Sequence, residues 1–216
     1  MATDTQAIAT LTVLGDHGIR VHLPHGSPLT AAETIVASRI PHVEDVLPAA
    51  ETVLVTLTEG ADPDEVRRRL AALDLTQAPG GGSGAAADEL VVPVRYDGPD
   101  LQAVADLLDV SPEALVRQHI ETTWRCAFVG FAPGFGYLRA DRPRPPVARR
   151  DQSRPRIPPG SVGLADAFSG IYPRASPGGW QLIGSTDVVL WDLDRPEPAV
   201  IRPGTTVRFV DAAGGR

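Results

Sequence analysis

A run of glycine, alanine and serine near the middle of the chain limits how the chain can fold. The run QAPGGGSGAAAD, residues 77–88, contains no large apolar side chain, and segments of this composition act as flexible connectors. The 216 residues are 43% hydrophobic, which is enough for a separate core on either side of the run. We therefore predict two domains, residues 1–76 and residues 89–216, joined by a linker at residues 77–88.

The pattern of residues 1–76 predicts a small α+β domain. The runs IATLTVL and IRVHL flank the turn residues GDHG and predict a β-hairpin, and TVLVTL predicts a buried strand. LTAAETIVASRI predicts a helix in which Thr30 and Glu33 are spaced as a capping box. DPDEVRRRLAAL predicts a second helix, with Asp62 as its N-cap and Pro63 in its first turn.

Residues 89–216 predict a mostly-β domain. They open with a strand, ELVVPVRY, and two helices, GPDLQAVADLL and SPEALVRQHI, the second capped by Ser111. The later runs CAFVGFAPGFGYL, SVGLAD, WQLIGST, VVLWDL and TTVRFV are short, β-rich and separated by glycine and proline. This pattern is typical of an antiparallel barrel or sandwich.

Composition excludes several classes of function. All twenty basic residues are arginine, so the chain has no lysine for a P-loop or for Schiff-base chemistry. The net charge of −7 and the lack of a broad basic surface argue against nucleic-acid binding. The single cysteine, Cys126, excludes an internal disulfide, and no cysteine or histidine spacing suggests a metal site.

Targeting signals are not evident in the sequence. The first residues, MATDTQ, lack the basic start and apolar run of a secretory signal. The most apolar later run, CAFVGFAPGFGYL, is broken by glycine and proline and is too short to cross a bilayer. We therefore expect a cytoplasmic protein that does not enter a membrane.

Two features could carry chemistry. Residues 139–159 contain seven arginines and six prolines, which predicts a long loop, either simply solvated or arranged to bind an anion. His119 is the only histidine after the linker. It lies near a predicted helix C-terminus, where the helix dipole favours the protonated imidazole. A core or capping role and a proton-carrying role are both open for it.

Five motifs, taken together, resemble a known family. They are GPDL (98–101), QHIETTWR (118–125), VGFAPGFGYL (129–138), RIPPGSVGLAD (156–166) and GIYPRASPGGWQLIGST (170–186). In order and spacing they resemble the family of the B-type 5-oxoprolinase subunits, which includes the kinase inhibitor KipI, allophanate hydrolase subunit 1 and part of urea carboxylase. The resemblance implies an α+β N-terminal domain followed by a mostly-β cyclophilin-like barrel domain.

The resemblance also implies a site in a cleft between residues 133–137 and residues 177–180, and the alternative is that these two segments only close the barrel. Its catalytic candidates are His119 as a proton carrier, with Arg154 and Arg156 as cations for phosphoryl oxygens. Arg149 and Arg150 match further basic positions of the family. The implied substrate-binding residues are Phe131, Pro133, Gly134, Phe135, Tyr137, Gly160, Ser161, Tyr172, Pro173, Ser176, Gly178, Gly179 and Trp180.

The sequence departs from the family pattern at four positions. Asp166 replaces a glycine, Phe168 a glutamine, Ser185 an arginine and Gly136 a proline. Loss of the glutamine and the arginine removes two polar groups that an aromatic ring or a hydroxyl does not replace. The substrate can therefore differ from 5-oxoproline, or the chain can be a binding protein.

The function implied by the resemblance is that of a subunit of a multi-chain, ATP-dependent amidohydrolase, active only with partner subunits. It would open a cyclic or urea-like amide, and conversion of 5-oxoproline to glutamate is the favoured reaction. ATP with Mg would bind at a site shared with or supplied by a companion subunit with a related β-rich domain, and a third subunit would be amidohydrolase-like. The alternatives are a KipI-like inhibitor of a sensor histidine kinase, an allophanate hydrolase-type subunit, and a scaffold that completes a partner's active site.

Overall fold

The computed structural model describes residues 9–77 and 89–213. The chain divides into two compact units, residues 1–86 and residues 87–216. The predicted linker, apart from Gln77, and the N-terminal sequence MATDTQ lie outside the described residues. In the ranges that are described, no helix is both long and apolar enough to cross a membrane.

The first unit is an antiparallel sheet with two helices packed against it. Its elements are β1 (Thr10–Leu14), β2 (Gly18–His22), α1 (Pro28–Ser38), β3 (Val43–Pro48), β4 (Thr52–Leu57) and α2 (Pro63–Ala71), and the strand order is β1-β2-β4-β3. The predicted hairpin, central strand and both helices are confirmed. The predicted capping box is wrong, because Ser27 Oγ accepts the Thr30 N–H at 3.3 Å and so caps α1.

The second unit is built mainly of strands. Its elements are β5 (Glu89–Val94), α3 (Leu101–Leu107), α4 (Pro112–Glu121), β6 (Trp124–Val129), β7 (Gly136–Ala140), β8 (Arg154–Ile157), β9 (Ser161–Ala165), β10 (Phe168–Ile171), β11 (Ser176–Gly178), β12 (Gln181–Ser185) and β13 (Thr206–Asp211). Ser111 caps α4 as predicted. Two expectations are corrected. VVLWDL forms only an isolated bridge, Trp191 to Ala199, and the basic segment includes the short strand β8, paired with β11.

Seven of these strands form one sheet that is nearly closed into a barrel. Their order is β12-β9-β10-β7-β6-β13-β5. The two edge strands meet where Arg95 and Ser185 exchange two backbone hydrogen bonds of 2.8 Å. This bridge removes part of the exposed sheet edge that an open sheet would leave.

The two faces of this sheet contact different groups of side chains. Successive residues in a strand point to opposite faces. Ile171 packs in the main core with Trp124 and Phe209, whereas the next residue, Tyr172, packs with Phe135 and Trp180. The sheet therefore separates the main core from a second, aromatic group.

Candidate functional site

Seven aromatic side chains form the second group, which we call the aromatic cluster. They are Phe128, Phe131, Phe135, Tyr137, Phe168, Tyr172 and Trp180, out of eleven aromatic residues in the chain. The ring centroids of Phe135 and Trp180 are 5.3 Å apart, and Phe135, Tyr172 and Trp180 are at most 5% exposed. The two predicted cleft walls thus touch each other. Of the two alternatives, a cleft and segments that only close the barrel, this contact favours the second, because the rings pack edge to face as a core.

The small residues of the predicted cleft contact other groups of this chain and take part in the same packing. A Cβ on Gly178 would lie 2.4 Å from Tyr172 Oη, so the glycine here admits a tyrosine of the same chain. Ser161 Oγ donates to the Pro158 carbonyl at 2.9 Å, and Ser176 Oγ donates to the Arg174 carbonyl at 3.1 Å. Both hydroxyls therefore stabilise local turns of the backbone.

His119 lies in the main core rather than beside the aromatic cluster. Its side chain is 0% exposed, and its ring stacks on Phe209 with centroids 4.3 Å apart. Tyr96 Oη lies 2.8 Å from Nδ1, and Ser169 Oγ lies 3.0 Å from Nε2. Since Ser169 and Gly170 point to opposite faces of β10, the sheet separates His119 from Trp180, which lies against Gly170.

The protonation state expected for His119 is also corrected. Burial, together with the nearby charge of Arg144, lowers the pKa of His119 to about 3. Desolvation of the imidazolium thus outweighs the helix dipole. In this structure His119 is a neutral core residue whose two ring nitrogens both have partners.

This pKa predicts how stability changes with pH. An imidazole in the unfolded chain titrates near 6.5, so below that pH the unfolded state binds one more proton than the native state. The second unit should therefore lose stability as the pH falls from about 6.5 towards about 3, by up to about 1.4 kcal/mol per pH unit. Denaturant unfolding at about pH 7 and pH 5, followed by tryptophan fluorescence, should show this slope, and His119→Gln should reduce it. A His17→Gln control, in the first unit, should leave the pH dependence of the second unit's stability unchanged. An unchanged slope in His119→Gln would contradict the assignment.

The arginines of the basic segment are mostly engaged by the protein itself. Arg142 and Arg144 donate to the carbonyls of Glu121 and Gln118 at the C-terminal end of α4. The Arg139 guanidinium lies over the ring of Phe168, and Arg149 pairs with Asp166. Much of the segment's positive charge therefore fixes the loop onto the barrel.

The two remaining arginines, Arg150 and Arg154, both bind Asp100. The sequence alone did not identify Asp100 as a residue of the site. Its carboxylate is 3% exposed and accepts from Arg150 Nη1 at 2.9 Å, from Arg154 Nη2 at 2.7 Å and from the Leu182 N–H at 2.7 Å. Burial opposes ionisation, but the hydrogen bonds from Arg154 and Leu182 and the charges of both arginines lower the pKa of Asp100. Asp100 is thus an ionised counter-charge for two arginines, and the GPDL motif was the only signal for it.

Arg156 is the exception in the basic segment. In the part of the chain that the structure describes, it is exposed and has neither an ion pair nor a hydrogen bond. Arg154 Nη1 and Arg150 Nε also lack partners there, but both atoms are buried. Residues 9–77 and 89–213 contain no cluster of three or more His, Cys, Asp or Glu that could hold a metal. One free guanidinium does not provide the set of donors that a nucleoside triphosphate needs, so the basic segment alone does not form a complete ATP site.

The four departures from the family pattern each have a structural consequence. Asp166 has a φ of 51° in the two-residue turn between β9 and β10, where aspartate is one of the better-tolerated residues. Phe168 joins the aromatic cluster, and Ser185 Oγ donates to Asp97 at 2.9 Å. A Cβ on Gly136 would lie 2.5 Å from Ile201, so its absence makes room for that side chain.

Three of the predicted substrate-binding residues lie in an open pocket. Phe131, Pro133 and Gly134 line a pocket of about 410 Å³ together with Trp191 and Arg202, which the sequence did not single out. Pro173 is near this loop, since a Cβ on Gly134 would lie 3.4 Å from it. The structure therefore divides the predicted site between a closed aromatic cluster and an accessible pocket.

Sequence relatives identify the family. A model described as the carboxyltransferase domain, subdomain C and D, matches residues 9–201. The 5-oxoprolinase subunit designated B in Bacillus subtilis is 33% identical over an alignment of 210 positions, and the match covers 94% of this chain and 72% of that protein. The protein of the same name in Escherichia coli O157:H7 is 42% identical over 127 residues, 57% of this chain and 58% of that protein. The chain is thus similar to a large part, but not all, of each relative.

Solved structures show the same fold. The crystal structure of TTHA0988 has a TM-score of 0.71 and 33% identity, covering 91% of this chain and 40% of that chain. The urea amidolyase of K. lactis has a TM-score of 0.73 at 16% identity, covering 94% of this chain and 15% of that chain, and so shows the fold alone. In both, the matching region is a minor part of a longer polypeptide. From its motifs, its fold and these relatives, the chain belongs to the carboxyltransferase subdomain C and D family and, within it, to the B-type 5-oxoprolinase subunits.

Proposed function

We propose that the chain is a subunit of a multi-chain, ATP-dependent amidohydrolase that opens 5-oxoproline to glutamate. The observation that carries the proposal is the 33% identity to a B-type 5-oxoprolinase subunit across 94% of this chain. We also propose a cyclophilin-like topology for the barrel and a cytoplasmic location for the protein.

The geometry of the candidate residues supports a site that is shared between subunits. Arg154 is held by Asp100, and His119 is neutral and buried in the main core. Arg156 is exposed on β8 and, within the described ranges, free to meet a charge on another molecule. We therefore assign ATP with its Mg to a site shared with or supplied by a companion subunit with a related β-rich domain. The proposed assembly also contains a third, amidohydrolase-like subunit.

The contribution of this chain to the chemistry is then electrostatic and positional. Arg156 is the proposed cation at the boundary between subunits, where a guanidinium can stabilise negative charge that develops on oxygen. Arg154 is two residues away on β8, so its ion pair with Asp100 helps to fix the strand that presents Arg156. His119 lies in the main core and transfers no proton in the proposal.

Reconstitution tests the proposal. The purified chain alone should hydrolyse neither ATP nor 5-oxoproline above background, whereas a mixture with the companion subunits of the same organism should form glutamate only when ATP is present. Omitting this chain from the mixture should abolish glutamate formation. Turnover of ATP by the chain alone, in proportion to its concentration, would contradict a shared site. Inhibition of a sensor histidine kinase, without any effect on glutamate formation, would instead favour the KipI-like alternative.

A further inference from the structure

The pocket beside Phe131 has the form of a small-molecule site. Its volume of about 410 Å³ lies within the range of about 300–1,000 Å³ that is common for such sites. Its lining is apolar apart from one charged residue, Arg202.

The loop that carries Phe131 holds a partly exposed ring at the edge of the aromatic cluster, at a cost in backbone energy. Phe131 has a φ of 67° and is 56% exposed. A residue of this type rarely adopts such a conformation and keeps it only where the surroundings fix it. The Ala132 N–H donates to the Gly130 carbonyl at 2.7 Å, and the Phe135 N–H donates to the Ala132 carbonyl at 2.9 Å. These bonds fix the loop, and the strain is of the kind that accompanies ligand contacts.

The backbone of Arg202 is fixed, whereas its side chain can exchange one ion-pair partner for another. The Arg202 N–H donates to Thr205 Oγ1 at 3.0 Å, and the Thr205 N–H donates to the Arg202 carbonyl at 2.9 Å. The guanidinium pairs with Glu197, but both side chains are more than half exposed. Exposed pairs of this kind are weak. A ligand carboxylate can therefore replace Glu197 at little cost.

We propose that this pocket binds a small ring compound that carries one carboxylate. The ring would contact Phe131 and Trp191, while Arg202 would bind the carboxylate through two parallel N–H groups. Arg202 carries the only formal charge on the lining, so the pocket becomes complementary to an anion when Arg202 exchanges Glu197 for a ligand carboxylate. The choice of a lactam, 5-oxoproline, as the ring compound rests on the proposed function, whereas the choice of a ring carboxylate rests on the pocket itself.

Titration of the full chain with 5-oxoproline tests the pocket directly. Trp191 is 37% exposed, whereas Trp124 and Trp180 are at most 5% exposed, so the fluorescence change on binding should come from Trp191 and disappear in Trp191→Phe. Arg202→Gln should raise Kd tenfold or more. Arg208→Gln is the matched control, because Arg208 has nearly the same side-chain exposure, 50% against 51%, and also pairs with one glutamate. It should leave Kd within about twofold, because Arg208 does not line the pocket.

Two analogues separate this proposal from the proposed function. Cyclopentanecarboxylate keeps the ring and carboxylate, and 2-pyrrolidinone keeps the lactam without the carboxylate. Binding of the two carboxylates with dependence on Arg202, and no binding of 2-pyrrolidinone, supports the pocket even if the reconstituted complex does not open 5-oxoproline. Binding of either carboxylate with the same Kd in Arg202→Gln as in the parent overturns the pocket, and a complex that still opens 5-oxoproline then leaves the proposed function standing. Failure of both carboxylates to bind the chain and the complex also overturns it.

Discussion

The Asp100→Asn variant is expected to unfold with a free energy about 3–5 kcal/mol below that of the parent chain, the scale for removing one partner of a buried ion pair. Asparagine keeps the shape of the side chain but removes the charge that neutralises Arg150 and Arg154. It also weakens the acceptor for the Leu182 N–H. Two guanidinium groups, on side chains that are 36% and 21% exposed, would then lie side by side without a counter-charge.

Tryptophan fluorescence during denaturant unfolding measures this effect, since all three tryptophans lie after residue 88. Asp187→Asn is the control, because Asp187 pairs with Arg95 but is 84% exposed, and it should leave stability nearly unchanged. The lowered pKa of Asp100 means that its stabilisation is complete above the ordinary carboxyl pKa and is lost as the pH falls through the lowered value. The difference in the free energy of unfolding between the parent chain and Asp100→Asn should therefore become smaller at acidic pH. Equal effects of the two substitutions would contradict a buried, organising role for Asp100.

Gly160→Ala is expected to lower the free energy of unfolding by about 2–5 kcal/mol, combining the strain of a left-handed residue with that of overpacking. Gly160 has a φ of 78°, and an added Cβ would lie 2.1 Å from the Thr186 carbonyl oxygen. That oxygen cannot move away easily, since the Thr186 N–H donates to the Gly160 carbonyl at 2.9 Å. The same fluorescence measurement reports on this variant.

Gly60 offers a control with the same backbone conformation. Its φ is also 78°, but no atom lies within 4 Å of an added Cβ. Gly60→Ala should therefore cost only the left-handed strain, about 1–2 kcal/mol. Circular dichroism is the appropriate probe for it, because the first unit contains no tryptophan. If the two alanine variants lost the same stability, contact with Thr186 would have no part in the requirement for glycine at residue 160.

Local sequence signals predicted most of the elements because their causes are local. Asp62 and Ser111 each accept a backbone N–H at a helix start, as their positions before a proline predicted. Strand β3, VEDVLP, was missed because two adjacent acidic residues interrupt its apolar alternation. VVLWDL was wrongly predicted as a strand because its β-branched and aromatic content says nothing about whether a neighbouring strand has an edge to offer.

The site was harder to predict because its partners are distant in sequence. Asp100 meets Arg154 across fifty-four residues, and neither neighbourhood indicates the other. Charge in the basic segment suggested an anion site, yet Asp100, Asp166 and the carbonyls at the end of α4 take up most of it. The aromatic residues were correctly grouped, but composition does not reveal whether two walls enclose space or touch. That difference depends on side-chain packing, which only the three-dimensional structure provides.

Stepwise addition of this chain to a fixed amount of its companion subunits, with ATP and 5-oxoproline in excess, shows whether the chain is a working subunit. We expect the rate of glutamate formation to be at background without the chain, to rise in proportion to the chain added and to reach a plateau at a fixed ratio of subunits. Arg156→Gln should reach the same ratio with a lower plateau, because it would assemble but lack the proposed cation. Glutamate formation that proceeds at the full rate without this chain, or that does not respond to its addition, would contradict its assignment as a working subunit.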